Sequence, residues 1–153
     1  DLSTPIEAVD LMTPPQFTGD IAIGSRSLPG AEYVVKGTPS HRKMTGWIFN
    51  QLTRLLVPGI SDTQCGFKMF RRDAARQIFS QSVVDGWAFD VEILYLARLY
   101  GYEIKEILVA WEYDEDSRIN VLGDSLEMAA DLLRIWIRGK TGGYEPQKDP
   151  AHA

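Results

Sequence analysis

Apolar positions recur along this chain with two periods, and each period predicts its own elements. Alternation over Asp20–Arg26, with Ile21 and Ile23 apolar, predicts a strand ending in the small-residue turn Gly24-Ser25-Arg26. A second alternating run, Phe67–Arg71, predicts a short strand, and Tyr102–Trp111 a third whose later part is the more buried. Helical spacing appears in Ser40–Leu56, where Met44, Ile48, Leu52 and Leu55 form a stripe widened by Trp47 and Leu56, so this face is expected to point inward. Arg71–Phe79 reads as a short helix starting near Asp73, with Ile78 and Phe79 turned to the core. After a connection at Gln81–Asp85, Phe89–Tyr100 reads as a helix closed by Gly101. Asn120–Ile137 carries Leu122, Leu126, Ala129, Leu133 and Trp136 on one stripe. The opening, Asp1–Met12, reads as a loop entering a helix, with Ser3 or Thr4 as cap, Pro5 in the first turn and Glu7 completing a capping box. Ser27–Ser40, with Pro29, Gly30, Gly37 and Pro39, reads as a flexible loop of the kind that serves as a lid. Gly142–Ala153 has no apolar pattern and is expected to be a disordered tail. Strands interspersed with helices make the chain α/β.

Composition narrows the classes. At 153 residues, 44 % of them hydrophobic, the chain can bury one core. A net charge of −5 and a pI near 5.0 argue against a general nucleic-acid binder, which carries a basic face. The single cysteine excludes an intramolecular disulfide and suits a reducing, cytoplasmic compartment. No apolar run reaches bilayer-spanning length and no signal peptide opens the chain, so it is expected to be soluble.

Three stretches carry candidate chemistry. In Ser61-Asp62-Thr63-Gln64-Cys65-Gly66, small and polar residues surround the cysteine and feed a strand; such loops build sites, although Ser-Asp-Thr after Pro58-Gly59 also reads as a capped turn. Asp90 and Glu92 sit between Phe89, Val91, Ile93 and Leu94, where a carboxylate needs a cation, a metal or a proton, unless it merely complements the helix dipole. His41, Arg42 and Lys43 crowd a helix start, where cations oppose the dipole and make sense beside an anion; His41 itself reads as a solvated helix-end residue. At the other end of the chain, Arg134, Trp136, Arg138 and Lys140 suit a headgroup interface, and the C-terminal dipole explains the cations equally well.

The run Asp62-Thr63-Gln64-Cys65-Gly66-Phe67-Lys68-Met69-Phe70, then Gly86-Trp87-Ala88-Phe89-Asp90-Val91-Glu92, Gly101-Tyr102, Trp111 and Ser117-Arg118, resembles the family 2 glycosyltransferases that load a hexose onto a polyprenyl phosphate, most of all the dolichyl-phosphate β-glucosyltransferase branch. The resemblance runs from Asp1 to about Trp136. It implies that residues 1–140 are the C-terminal portion of a GT-A (nucleotide-diphospho-sugar transferase) domain, a mixed sheet flanked by helices, with 141–153 as tail. In that family an Asp-X-Asp motif runs into Leu-Ser-Thr-Pro. Asp1-Leu2-Ser3-Thr4-Pro5 supplies only its end, which implies a preceding nucleotide-binding half and an inactive isolated fragment. The implied reaction is inverting transfer of a hexose, glucose favoured, from a nucleotide sugar, UDP-glucose or else GDP-mannose, to a polyprenyl phosphate.

The implied roles are Asp1 as ligand of Mg²⁺ or Mn²⁺; Arg26 and Arg42 on the acceptor phosphate; Asp62 as catalytic base or orienting group; Gln64, Trp87 and Asp90 shaping the sugar pocket; and Ser117 and Arg118 near the donor phosphates. Gly46 departs from the mannosyl branch, which has serine there. The expected location is cytoplasmic, at the cytoplasmic face of a membrane with peripheral contact. Two alternatives remain: a non-catalytic interaction domain built on this fold, and a glycosyltransferase acting on a polysaccharide or protein hydroxyl.

Overall fold

The computed structural model describes residues 4–30, 33–34, 49–112 and 121–144. Its centre is strand β1, Ile21–Ser25, buried along its whole length. β1 pairs antiparallel with β3, Lys68–Phe70, and parallel with β4, Ile104–Leu108, giving a mixed sheet of order β3-β1-β4. Alternate residues of β1 leave opposite faces. Ile21 and Ile23 enter a core with Ile78, Val91, Leu94, Leu132 and Ile135, whereas Ala22 joins Met12, Phe17, Cys65 and Val109 on the other side.

The first core is supplied by helices: α1 over 49–56, α2 Arg72–Gln81, α3 Phe89–Leu99 and α4 Val121–Lys140. The expected mixed sheet flanked by helices is therefore present. The stop of α3 follows from Gly101, whose φ of +76° is a left-handed conformation natural to glycine. Its N–H donates to Arg98 and that of Tyr102 to Ala97, the paired bonds of a Schellman cap. Gly139 lies where α3's Tyr95 passes so close that a Cβ would collide with the phenol. No helix among the described residues is long and apolar enough to cross a membrane.

Several expected features are corrected. Ile6–Met12 is a 3-10 helix with Pro5 at the N-cap and no side-chain cap, because proline's fixed φ suits the entry without a hydroxyl. Within the presumed lid, Tyr33–Val34 forms strand β2, paired in parallel with β5, Trp111–Glu112; backbone pairing overrides the loop-like composition. Phe79 is nearly half exposed, although its ring stacks on Phe89. On α1 the inward residues are Thr53 and the neighbouring Val57, with Phe49 and Leu56 packed against the core, whereas Leu55 is 80 % exposed. On α4, Leu132 and Ile135 face the core, whereas of the described stripe residues Leu126 is 78 % exposed and Leu133 and Trp136 about half.

Residues 141–144, assigned above to the tail, turn back onto α3. The buried Tyr144 ring packs against Tyr95, with the Arg138 guanidinium over it, and its hydroxyl donates to Glu92 Oε1 at 2.8 Å. Residues 145–153 lie outside the described residues, as do Ser40–Ile48 of the predicted first helix.

Candidate active site

Gly24 is where the site begins. Its N–H donates to the Phe67 carbonyl at 2.7 Å, and a Cβ there would come within 3.0 Å of Cys65 Sγ and 3.2 Å of Phe67 O. A missing side chain thus lets the Ser61–Gly66 loop cross the end of β1, which sets Asp62 against Arg26.

There the two expected residues meet. Arg26 Nε donates to Asp62 Oδ2 at 2.7 Å and Nη2 to Oδ1 at 2.9 Å, a fork on both carboxylate oxygens, and the Arg26 backbone N–H adds a third bond at 3.0 Å. The Gln64 N–H donates to Oδ1 at 3.3 Å, the Asx turn that the local sequence also allowed. Asp62 is buried, and burial pushes its carboxyl upward; the Arg26 guanidinium, its backbone N–H and that of Gln64 more than reverse this, so the carboxyl titrates below its ordinary value. It is an ionised group at neutral pH with its oxygens engaged. That suits an orienting role better than proton abstraction. Burial raises the adjacent Cys65 thiol, leaving it a packing residue rather than a nucleophile.

The loop is held at both ends. The Glu106 carboxylate accepts the Ser61 N–H at 3.0 Å and the Asp62 N–H at 3.1 Å, while Asn50 of α1 donates to the Ser61 carbonyl at 3.2 Å. At the far end the Lys68 ammonium donates to the Cys65 carbonyl and to Asp90 Oδ1, each at 2.6 Å. Asp90 in the first turn of α3 thus has its cation and is tied to the motif loop. Trp87, half-exposed, stands on the turn just before α3. Two polar atoms in this region are buried without a partner, Ser25 Oγ and Gln64 Nε2, the condition expected of groups that a ligand completes.

Glu92 has a different use. Fully buried, it accepts bonds from Ser82 Oγ at 2.6 Å, Val83 N–H at 3.0 Å, Val84 N–H at 2.9 Å and Tyr144 hydroxyl, and so knots the α2–α3 connection to the end of α4. Burial and the facing Glu92 carboxylate both push the Tyr144 phenol upward, so it stays a donor.

Of the residues expected from sequence, the structure brings together Arg26, Asp62 and Gln64, with Asp90 joined through Lys68. Asp1, Arg42, Ser117 and Arg118 lie outside the described residues. No group of three or more His, Cys, Asp or Glu side chains that could hold a metal occurs among the described residues, so these provide no donor set of their own. Lys68 and Glu106 read from sequence as solvent-facing charges on strands. The clue was their face: Lys68 lies two residues from Phe70 and Glu106 two from Ile104, so each shares a strand face with a residue packed on the core.

Comparison with known proteins supplies the remaining link. The chain is 48 % identical over 84 residues to a dolichyl-phosphate beta-glucosyltransferase of Dictyostelium discoideum, covering 55 % of this chain and 26 % of that protein. The human protein of the same name is 48 % identical over 90 residues, 59 % of this chain and 28 % of the relative. That of Saccharomyces cerevisiae is 38 % identical over 130 residues, 84 % of this chain and 39 % of the relative. The chain is similar to one part of the dolichyl-phosphate beta-glucosyltransferases. It spans between 26 % and 39 % of the length of these relatives. No family model matches the chain, and no solved structure does.

Proposed function

We propose that this chain is part of an inverting hexosyltransferase that moves glucose from a nucleotide sugar, UDP-glucose in preference to GDP-mannose, onto a polyprenyl phosphate, and that its sheet is the C-terminal part of a GT-A fold. The reading rests above all on the Arg26–Asp62 fork at the end of β1, which supports an anion-binding role for Arg26 there. In the reaction an acceptor phosphate oxygen bonds to the anomeric carbon from one side while the bond from that carbon to the donor diphosphate breaks, its electron pair leaving with the nucleotide. The phosphate is already ionised, so positioning and charge neutralisation are needed more than a base. Asp62, ionised and pinned, is a poor base for a hydroxyl acceptor, which favours phosphate over a polysaccharide or protein hydroxyl.

In this reading Arg26 and Arg42 hold the acceptor phosphate, Asp62 fixes the Arg26 guanidinium, and Gln64, Trp87 and Asp90 line the hexose pocket. Ser117 and Arg118 face the donor phosphates. Asp1 would be a ligand of a Mg²⁺ or Mn²⁺ ion, which would supply charge neutralisation at the donor diphosphate.

A lipid acceptor also gives the outer face of α4 a use. Leu126, Leu133, Trp136 and Ile137 are exposed together, and residues 132–144 carry Arg134, Arg138 and Lys140 with no acid in a chain of net charge −5. An apolar face edged by cations fits the surface of an anionic membrane, here at its cytoplasmic side. The test is transfer by the intact protein with membrane lipid supplied: a glucosylated polyprenyl phosphate from UDP-glucose supports the reading, and product only on a soluble hydroxyl acceptor contradicts it.

A further inference from the structure

We infer that Lys68 and Glu106 are a pair of positioning residues that clamp the Ser61–Gly66 loop from the two strands flanking β1 and so set the width of the hexose pocket. The inference concerns residues of the site just described and rests on that reading for what the pocket holds. The sheet register is its first support. Ile23 of β1 is paired with Lys68 on one side and Glu106 on the other, so three side chains in a row leave the same face, a cation and an anion on either side of a buried isoleucine.

The bonds are the second support. Glu106 takes the N–H groups that open the loop, and Lys68 takes the carbonyl of Cys65 near its close. A polar loop next to a core leaves backbone groups that must find partners. These two charges supply them in the order a loop needs, acceptor at its start and donor at its end. The Lys68 side chain is only 4 % exposed, an expensive place for an ammonium unless each contact is made. Its second contact, Asp90, is what raises the arrangement above a loop anchor. One ammonium fixes the spacing between the loop that carries Asp62 and Gln64 and the helix start that carries Asp90. Those two segments are the walls of the proposed pocket, and on the first of them Gln64 Nε2 is buried without a partner.

The test uses Lys68→Met, Lys68→Arg, Glu106→Gln, Asp90→Asn and the Lys68→Met/Asp90→Asn double variant of the intact protein, well below their melting temperatures. Amide hydrogen exchange is read across residues 61–66, and donor KM and kcat are read separately. The clamp predicts that exchange at 61–66 rises at least tenfold in Lys68→Met and in Glu106→Gln while β1 and α3 stay protected. It predicts that kcat falls about ten- to a hundredfold with KM changed far less, because a misplaced wall spoils alignment. Lys68→Arg recovers most of the rate, and the double variant is no slower than Lys68→Met alone. Unchanged exchange at 61–66, rates that multiply in the double variant, or loss of the whole fold in both Lys68→Met and Glu106→Gln would overturn the clamp. If the wild type transfers no hexose the proposed function falls, and the exchange pattern still decides whether the clamp exists.

Discussion

Two buried carboxylates show how position decides what an acid does. Asp62 and Glu92 both lie out of solvent, yet one is forked by an arginine at a strand end and the other is saturated by neutral donors inside the helical core. Because the folded Asp62 carboxyl titrates below its ordinary value, the unfolded chain takes up its proton first as the pH falls. Its stabilisation is therefore complete above roughly pH 4, the ordinary carboxylate range, and is lost as the pH drops through the lower folded value. Urea unfolding of the wild type and Asp62→Asn between pH 7 and pH 3 checks this: the two stability curves converge toward the acid end. Glu92→Ala strands several donors at once and is expected to cost about 3–5 kcal/mol, whereas Tyr144→Phe gives up one bond, at about 1–2 kcal/mol. A melting series on the two variants measures both. An equal effect would mean that Tyr144 is the whole of the knot.

Parts of α1 and α4 face the other way from what the sequence pattern assigns, and the reason is physical. On α1 and α4 the apolar residues outnumber what one core-facing stripe needs, so a helical period exists on either side and periodicity alone cannot choose. On α4 the choice was made by Gly139, which lets Tyr95 approach, and by Ile135 and Leu132, which reach the core. Ile135→Ala is accordingly expected to cost about 2–5 kcal/mol, and Leu133→Ala to stay within about 0.5 kcal/mol, by chemical denaturation. The exposed face carries the second half of the prediction: replacing Leu126, Leu133 and Trp136 together by serine leaves the melting temperature in place and lowers co-sedimentation with anionic vesicles severalfold. Retained vesicle binding would assign that face to another partner. The strands were legible from Ile21, Ile23 and the Phe67–Arg71 alternation, as was the stop at Gly101, because those signals are local. Tyr33–Val34 was not legible, since its strand exists only through pairing with Trp111–Glu112, far away in sequence.

At the scale of the molecule, the two short motifs that drew attention in the sequence are separated along the chain and joined in space by Lys68. The Arg26–Asp62 contact was legible as two candidates, not as a bond; what brought them together is the glycine at position 24, whose importance lies in an approach between segments that no local pattern reports. Lys68 and Glu106 were hidden for the opposite reason, since a charged residue in a strand looks like an ordinary solvent-facing one. The central claim is that a pinned, ionised Asp62 organises Arg26 for an anionic lipid acceptor beside an activated hexose. Its most direct measurement is the turnover of Asp62→Asn in the intact protein with UDP-glucose and polyprenyl phosphate, taken at a temperature where circular dichroism shows the variant folded. A fall in kcat of about a hundredfold or more is predicted; turnover within a few-fold of the wild type would contradict the account.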